Sequence, residues 1–338
     1  MTTNKDKTPL NQPASSSAIQ DLYSAGYLDP QTRKEAIKLL CPPKIMWQVW
    51  ADRMLVLFSA ALILAGIVFF FAYNWANMAP WLKLGLIELA IVGCVIVTLI
   101  KGVQEIVGKV FLLAASVFVG VLLAVFGQTY QTGADAYQLF VGWALLIAGW
   151  VIVSKFGGLW LMWLLLVNTA VVLYFDQVVA NSPDKLITTL SLLNITFVSA
   201  REYAVSKGIS WLSGKWLRWV VLGAVFFFLT SYVMIQIVEL NKISNWSMFP
   251  PILLLGLIVS SSYFYRFRSP DLFSLTLSAL SICAIVLTIL GKIIFEITGD
   301  NALVVLLFGL IILAVVSVAA FILREIGKSL EKEGSYGN

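Results

Sequence analysis

Glu88 stands inside a long apolar run, flanked by Ile87 and Leu89. An ionisable group at membrane depth costs about 3 kcal/mol or more, so such a residue is by default a functional candidate. A carboxylate there could relay protons, bind a cation or pair with a nearby base such as Lys83. Equally, it could reach the outer interface, or sit protonated and hydrogen-bonded between helices. A second set of candidates lies in one polar stretch, Phe126-Gly-Gln-Thr-Tyr-Gln-Thr-Gly-Ala-Asp-Ala-Tyr137, set between two apolar runs and free of Lys and Arg. Gln128, Tyr130, Gln131, Asp135 and Tyr137 supply amides, phenols and one carboxylate. Amides and aromatic rings suit a neutral polar ligand such as a sugar, or a protein partner, and the carboxylate favours a cation. The alternative is a structured connection whose side chains satisfy freed backbone at the helix ends. Gly127 and Gly133 let that backbone bend. Asn74 and Trp75 complete the candidates: they cap and anchor the end of the first apolar run, or join a ligand pathway there.

Other chemistry is excluded by residue type. The chain has no histidine, which removes His-based acid/base catalysis and His metal ligation. Its three cysteines, Cys41, Cys94 and Cys283, have no metal or disulfide spacing. No Walker loop, dinucleotide fingerprint or catalytic triad spacing appears. The expectation is a protein that is not an enzyme and takes neither cofactor nor metal.

These candidates must be held by a membrane-embedded scaffold. Of 338 residues, 60% are hydrophobic and 12% charged, against about 45–50% and about 25% in soluble domains. So little charge cannot cover a water-soluble fold of this size. A transmembrane helix needs about 20 mostly apolar residues, and ten such runs lie between about residues 54 and 324. They are continuous rather than alternating, which selects helices over a barrel. The fold class is therefore all-α, a polytopic integral membrane protein with about ten transmembrane helices. Its parts are a segment over 1–50 with a short helical hairpin, a transmembrane domain over 51–326 and a tail over 327–338. The hairpin is read from apolar Ile19, Leu22 and Tyr23 before Gly26, then Asp29-Pro30 as the cap and first residue of a second helix. The first apolar run starts too late for a secretory signal peptide, so the segment before it stays attached. That segment is either a membrane-surface anchor or a partner-binding or sensing module.

The basic residues set the orientation. With ten spans, 19 of the 23 Lys and Arg fall on one side and only Lys83, Lys185, Lys242 and Lys292 on the other. The positive-inside rule then puts both termini in the cytoplasm of a bacterial inner membrane, and the 74–80 and 128–135 stretches on the outer face. The net charge of +5 sits in loops beside apolar runs, so it reads as topology rather than nucleic-acid binding. The inner loop with Arg201, Lys207, Lys215 and Arg218 is mostly that topology signal, and also a candidate site for anionic lipid over 201–218.

Two pairs of stretches resemble each other, residues 74–87 with 245–258 and 126–135 with 290–300. They suggest a parallel internal repeat of spans 1–4 and 7–10, an arrangement known in transporters with sites at the repeat interface. Helix ends sharing Gly, Trp and Pro would also look alike by chance.

Three motifs carry a family resemblance. They are Leu22-Tyr-Ser-Ala-Gly-Tyr-Leu-Asp29, Gly66-Ile-Val-Phe-Phe-Phe-Ala-Tyr-Asn-Trp75 continuing to Pro80, and Phe126-Gly-Gln-Thr-Tyr-Gln-Thr-Gly-Ala-Asp135 with Leu139 and Trp143 after it. Over roughly residues 19–150 the chain resembles the bacterial membrane proteins called domain of unknown function 2157. The resemblance implies a multi-pass inner-membrane protein and no particular activity. Two functions follow from the residues, the first leading and the second its alternative. One is a transporter or permease-like protein for a small polar solute, using Glu88 and the 128–135 stretch. The other is a non-transporting sensor or assembly component that binds a periplasmic protein. Scarcity of charge within the membrane favours the second, and the ten spans, the repeat and Glu88 favour the first.

Overall fold

The computed structural model describes residues 16–40, 75–179, 182–239, 246–299 and 302–336, with scattered positions between 47 and 73. Residues 1–79 and 80–338 form two compact units.

The first unit begins with helices α1 (Ser16–Ser24) and α2 (Pro30–Leu40). Gly26, at φ +80°, turns the chain out of α1 in a conformation that other residues reach only at a cost. Asp29 then caps α2: its carboxylate accepts the backbone N–H groups of Gln31 at 3.2 Å and Thr32 at 3.3 Å, and the Thr32 hydroxyl. The Thr32 hydroxyl is the main cause holding this carboxyl below its ordinary value. The Arg33 guanidinium lies 4.6 Å from the centre of the Tyr23 ring and joins the two helices. Trp75–Asn77 form a single 3₁₀ turn. Asn74 and most of the first apolar run, 54–73, lie outside the described residues.

The second unit is a helical bundle. Its helices are α3 (Pro80–Lys101), α4 (Ile106–Tyr130), α5 (Ala136–Ser154), α6 (Gly157–Tyr174), α7 (Pro183–Ser206), α8 (Lys215–Val238), α9 (Phe249–Tyr263), α10 (Leu272–Thr298) and α11 (Ala302–Tyr336). Five-residue π-helical turns, Phe175–Val179 and Phe264–Arg268, extend α6 and α9. No described residue is in a strand. Seven of these helices are long and apolar enough to cross a membrane: α3, α4, α5, α6 with its π turn, α8, α10 and α11. The expectation of ten includes two described helices outside that set. Helix α7 is long enough, but it carries Asp184, Lys185, Arg201 and Glu202. Helix α9 has only 15 residues before its π turn.

Contacts between the links define two ends of the bundle. At one end, Gln104 donates to the Val153 carbonyl at 3.3 Å, the Trp160 ring lies 6.1 Å from that of Trp211, Arg218 meets Asp271 at 3.3 Å, and Arg266 donates to Ser329 at 2.8 Å. Successive links of this end, after α3, α5, α7 and α9, carry Lys101, Lys155, Lys207 and Arg268, so we call it the basic end. At the other, the Tyr137 and Tyr174 rings meet at 5.3 Å, Tyr232 donates to Asp184, and Lys292 donates to the Ile237 carbonyl at 2.8 Å. We call this the rim end. The chain therefore runs back and forth between two faces, and α7 and α9 run between the same faces as their neighbours.

Two apolar clusters hold the unit. One joins α4, α5 and α6 through Leu112, Val119, Ile147, Val151 and Leu159. The other joins α6 to α10 through Leu164, Val198, Val221, Leu229 and Leu254. In lipid, helix association relies on close packing and interhelical hydrogen bonds, and both occur here. A Cβ on Gly120 would lie 2.3 Å from the Trp143 ring, so glycine lets α5 close on α4. The Trp143 indole then donates to the Ser116 carbonyl at 2.7 Å. Trp163 repeats the device one helix later, donating to the Ala144 carbonyl at 3.0 Å. Farther along, Ser261 bonds Ser278 at 2.8 Å and Thr230 bonds Ser281 at 2.9 Å. The two halves of the suggested repeat pack differently. Helix α3 lies along α4, whereas α10 packs chiefly on α8 and α11 and only lightly on α9.

Candidate functional site

Helix α4 does not stop at Phe126. It continues through Gln128 to Tyr130, where Gln131 takes the left-handed conformation at φ 47° and donates its N–H to the Gly127 carbonyl. The polar connection expected from residue 126 thus narrows to 131–135, with Gly133 also left-handed at φ +65°. A connection this short joins α4 to α5 directly at the rim end. Gln128, Tyr130, Gln131 and Asp135 are exposed and Tyr137 is half-buried. Tyr130 packs its ring 4.8 Å from that of Phe126. Asp135 precedes the first residue of α5, yet its carboxylate accepts no capping hydrogen bond.

The π turn at the end of α6 completes this rim. Such turns bulge a helix and recur at functional sites. Here the turn brings Gln177 to accept the Tyr137 backbone N–H at 3.3 Å. Tyr174 meets the Tyr137 ring edge-on. Asp176 and Gln177 are exposed beside them. The polar pair Asp176-Gln177 closing an apolar run was the available sequence signal for this second half of the rim, which the sequence reading passes over.

Two further sequence candidates are described. Glu88 is exposed on α3, about 12 Å along the helix from Pro80 at 1.5 Å per residue. It makes no hydrogen bond or ion pair with a described residue. Trp75 is half-buried in its 3₁₀ turn. Four cavities among the described residues are lined by α6 to α11, and neither Glu88 nor the rim residues reach any of the four. One of them, of about 400 Å³ between α6, α7 and α8, contains Asn168 and Asn194. Their amides bond each other reciprocally at 2.6 and 3.2 Å. Each amide also donates to the carbonyl four residues back, at 2.7 Å. No described cluster of His, Cys, Asp and Glu could hold a metal ion.

The basic end holds the largest set of charges, and sequence reasoning recognised only its surface. Arg201 and Arg218 have side chains 3% exposed. Arg201 donates to the Leu212 and Gly214 carbonyls at 2.6 and 2.9 Å, binding the α7–α8 link, and pairs with Glu202. Arg218 reaches Glu202 at 3.5 Å and Asp271 at 3.3 Å and lies 4.9 Å from the centre of the Tyr265 ring. Asp271 caps α10 by accepting the Ser274 N–H at 3.1 Å and hydroxyl at 2.6 Å, and also accepts the Trp219 indole at 3.0 Å. Asp271 lies just outside the membrane-crossing stretch Leu272–Ile297. Burial pushes its carboxyl up, but the hydrogen bonds from Ser274 and Trp219 and the charge of Arg218 outweigh this and hold it below the ordinary 3.8. Two of the four cations in the 201–218 loop are therefore committed inside the protein. Lys207 and Lys215 are the exposed ones, so the lipid expectation for that loop now falls on them.

Residues 12–160 match the model of a family described as "Predicted membrane protein (DUF2157)". The match takes in the hairpin, α3, α4, α5 and the α4–α5 part of the rim, and it ends before the network of Arg201, Glu202, Arg218 and Asp271. No curated protein and no solved structure matches the chain.

Proposed function

We propose that the protein is a multi-pass inner-membrane component that does not itself carry solute and that binds a protein partner outside the membrane through its rim. The carrying observation is the contrast in hydrogen bonding. Gln128, Tyr130, Gln131 and Asp135 are exposed, and their side chains make no hydrogen bond or ion pair with described residues. The polar groups within the bundle, such as Asn168, Asn194, Thr230 and Ser281, are bonded to one another. Exposed tyrosines flanked by amides and a carboxylate suit a protein surface, since Tyr supplies contact area with a polar tip. The outward orientation of the rim, and of both termini toward the cytoplasm, is inferred from the basic residues gathered at the opposite end.

A transporter for a small polar solute is the second reading. It is favoured by Glu88, which pairs with no described residue on its apolar helix, and by the Asn168–Asn194 pair lining a cavity at mid-depth. One experiment separates the two. Cys41, Cys94 and Cys283 are replaced by serine, and single cysteines are placed at Tyr130, Gln131 and Glu88. Membrane-impermeant thiol reagents are then applied to each face in turn. Reaction of positions 130 and 131 from the outside only, with position 88 silent from both faces, supports the partner-binding reading. Reaction of position 88 from both faces overturns it in favour of a carrier.

A further inference from the structure

We propose that the groove between α9, α10 and α11 holds one acyl chain of an anionic phospholipid from the leaflet at the basic end, with the lipid phosphate on Arg266. The groove encloses about 780 Å³. Its walls are aliphatic apart from Ser262, Ser278, Cys283 and the residues at its mouth, and Ala279 on α10 with Ala314 and Ala319 on α11 hollow it out. It extends from Val286 to Leu275 along α10. Eleven residues at 1.5 Å per residue make about 16 Å, half of the ~30 Å hydrocarbon core. A groove one leaflet deep fits a lipid tail, whereas a spanning helix from a partner needs the full thickness.

Chemistry at the mouth selects the headgroup. Arg266 lines the groove at the basic end and is oriented there by its 2.8 Å hydrogen bond to Ser329. A guanidinium presents a planar fork of donors that matches phosphate oxygens. The same corner carries Arg268, Arg324 and Lys328, against the acid Glu325, which accepts from Lys328 at 2.7 Å. Basic pockets between transmembrane helices are a recognised way to hold anionic headgroups. This site is separate from the 201–218 loop, and it stands whether the protein binds a partner or carries a solute.

The test is native mass spectrometry of the full chain in mild detergent with equimolar dioleoyl phosphatidylglycerol and dioleoyl phosphatidylcholine. Wild type should retain the anionic lipid about fivefold over the zwitterionic one, the selectivity expected of one cation at the headgroup. Arg266→Gln should bring that ratio near one while leaving total lipid retention. Ala279→Trp should fill the groove and reduce retention of both lipids; if that variant fails to elute as a single folded species, Ala319→Leu is read instead. Lys207→Gln with Lys215→Gln should leave the ratio at its wild-type value. The proposal is overturned if Arg266→Gln keeps the selectivity, if filling the groove changes nothing, or if 10 mM inorganic phosphate alone displaces the bound lipid.

Discussion

Asp135 and Asp271 occupy the same position in two helices: each precedes the first residue of a long apolar helix, one at the rim end and one at the basic end. Asp135 is exposed and its carboxylate caps nothing. Asp271 is 5% exposed and gathers Ser274, Trp219 and Arg218 around it. The same residue type thus serves opposite purposes. A buried carboxylate survives only when it is paired and hydrogen-bonded, and Asp271 uses its partners to fasten α10 to α8. The Asp135 carboxylate has no such role inside the fold and remains available to another molecule. The difference extends to the surroundings, since the rim is built from exposed amides and phenols while Arg201, Glu202, Arg218 and Asp271 close their charges on one another.

The comparison breaks first if the buried network proves dispensable. Arg218→Ala leaves Glu202 and Asp271 without their shared cation, and removing one partner of a buried pair costs about 3–5 kcal/mol. Chemical unfolding in detergent micelles should show that loss, with a matching fall in midpoint. Asp271→Asn keeps the shape but removes the charge, and should cost about 2 kcal/mol, in the range for hydrogen bonds to charged groups. It should also change the acid limb of stability. The folded carboxyl is held below its unfolded 3.8, so its contribution is complete above that pH and is lost as pH falls through the lower folded value. Wild type should therefore lose midpoint below about pH 4 relative to Asp271→Asn; parallel pH profiles for the two proteins would remove Asp271 from the account. Gly120→Ala tests the scaffold under the rim. Its new Cβ must displace the Trp143 ring, an overpacking cost of about 2 kcal/mol. The better helix propensity of alanine returns up to about 1 kcal/mol. The net should be a loss of about 1 kcal/mol, with weaker exchange protection where α4 meets α5.

Much of this scaffold is written plainly in the chain. Apolar runs of about 20 residues locate α3, α4, α5, α8, α10 and α11, because the bilayer demands length and apolarity together. Asp29-Pro30 announces the cap that α2 uses. The sequence is less explicit where a residue's role depends on what packs against it. Arg201 and Arg218 look like two more topology charges, and only the neighbouring helices show that Glu202, Asp271 and two backbone carbonyls enclose them. The end of α4 lies beyond the apolar run for a related reason. Gly127 and Thr129 weaken a helix by propensity, yet the chain stays helical until Gln131 turns left-handed. Both π turns escape pattern reading, because a single wide turn leaves no period to detect. Without the turn at Phe175–Val179, the contribution of Asp176 and Gln177 to the rim is invisible.

The smallest effect on stability belongs to the rim itself, and it is the sharpest test of the contrast. Asp135→Asn and Tyr130→Ala change exposed side chains whose polar groups bond to no described residue, so each should alter unfolding free energy by less than about 0.5 kcal/mol. Their effect should appear in association instead. A photoreactive amino acid at Gln131 in intact cells should crosslink to a protein outside the membrane, and Tyr130→Ala with Asp135→Asn should reduce that adduct several-fold at unchanged expression. If both variants fold normally and the adduct persists at full yield, the rim residues are not the recognition surface. If Asp135→Asn alone destabilised the protein as much as Asp271→Asn, the two aspartates would share a structural role, and the division between an available rim carboxylate and an enclosed one at Asp271 would fail.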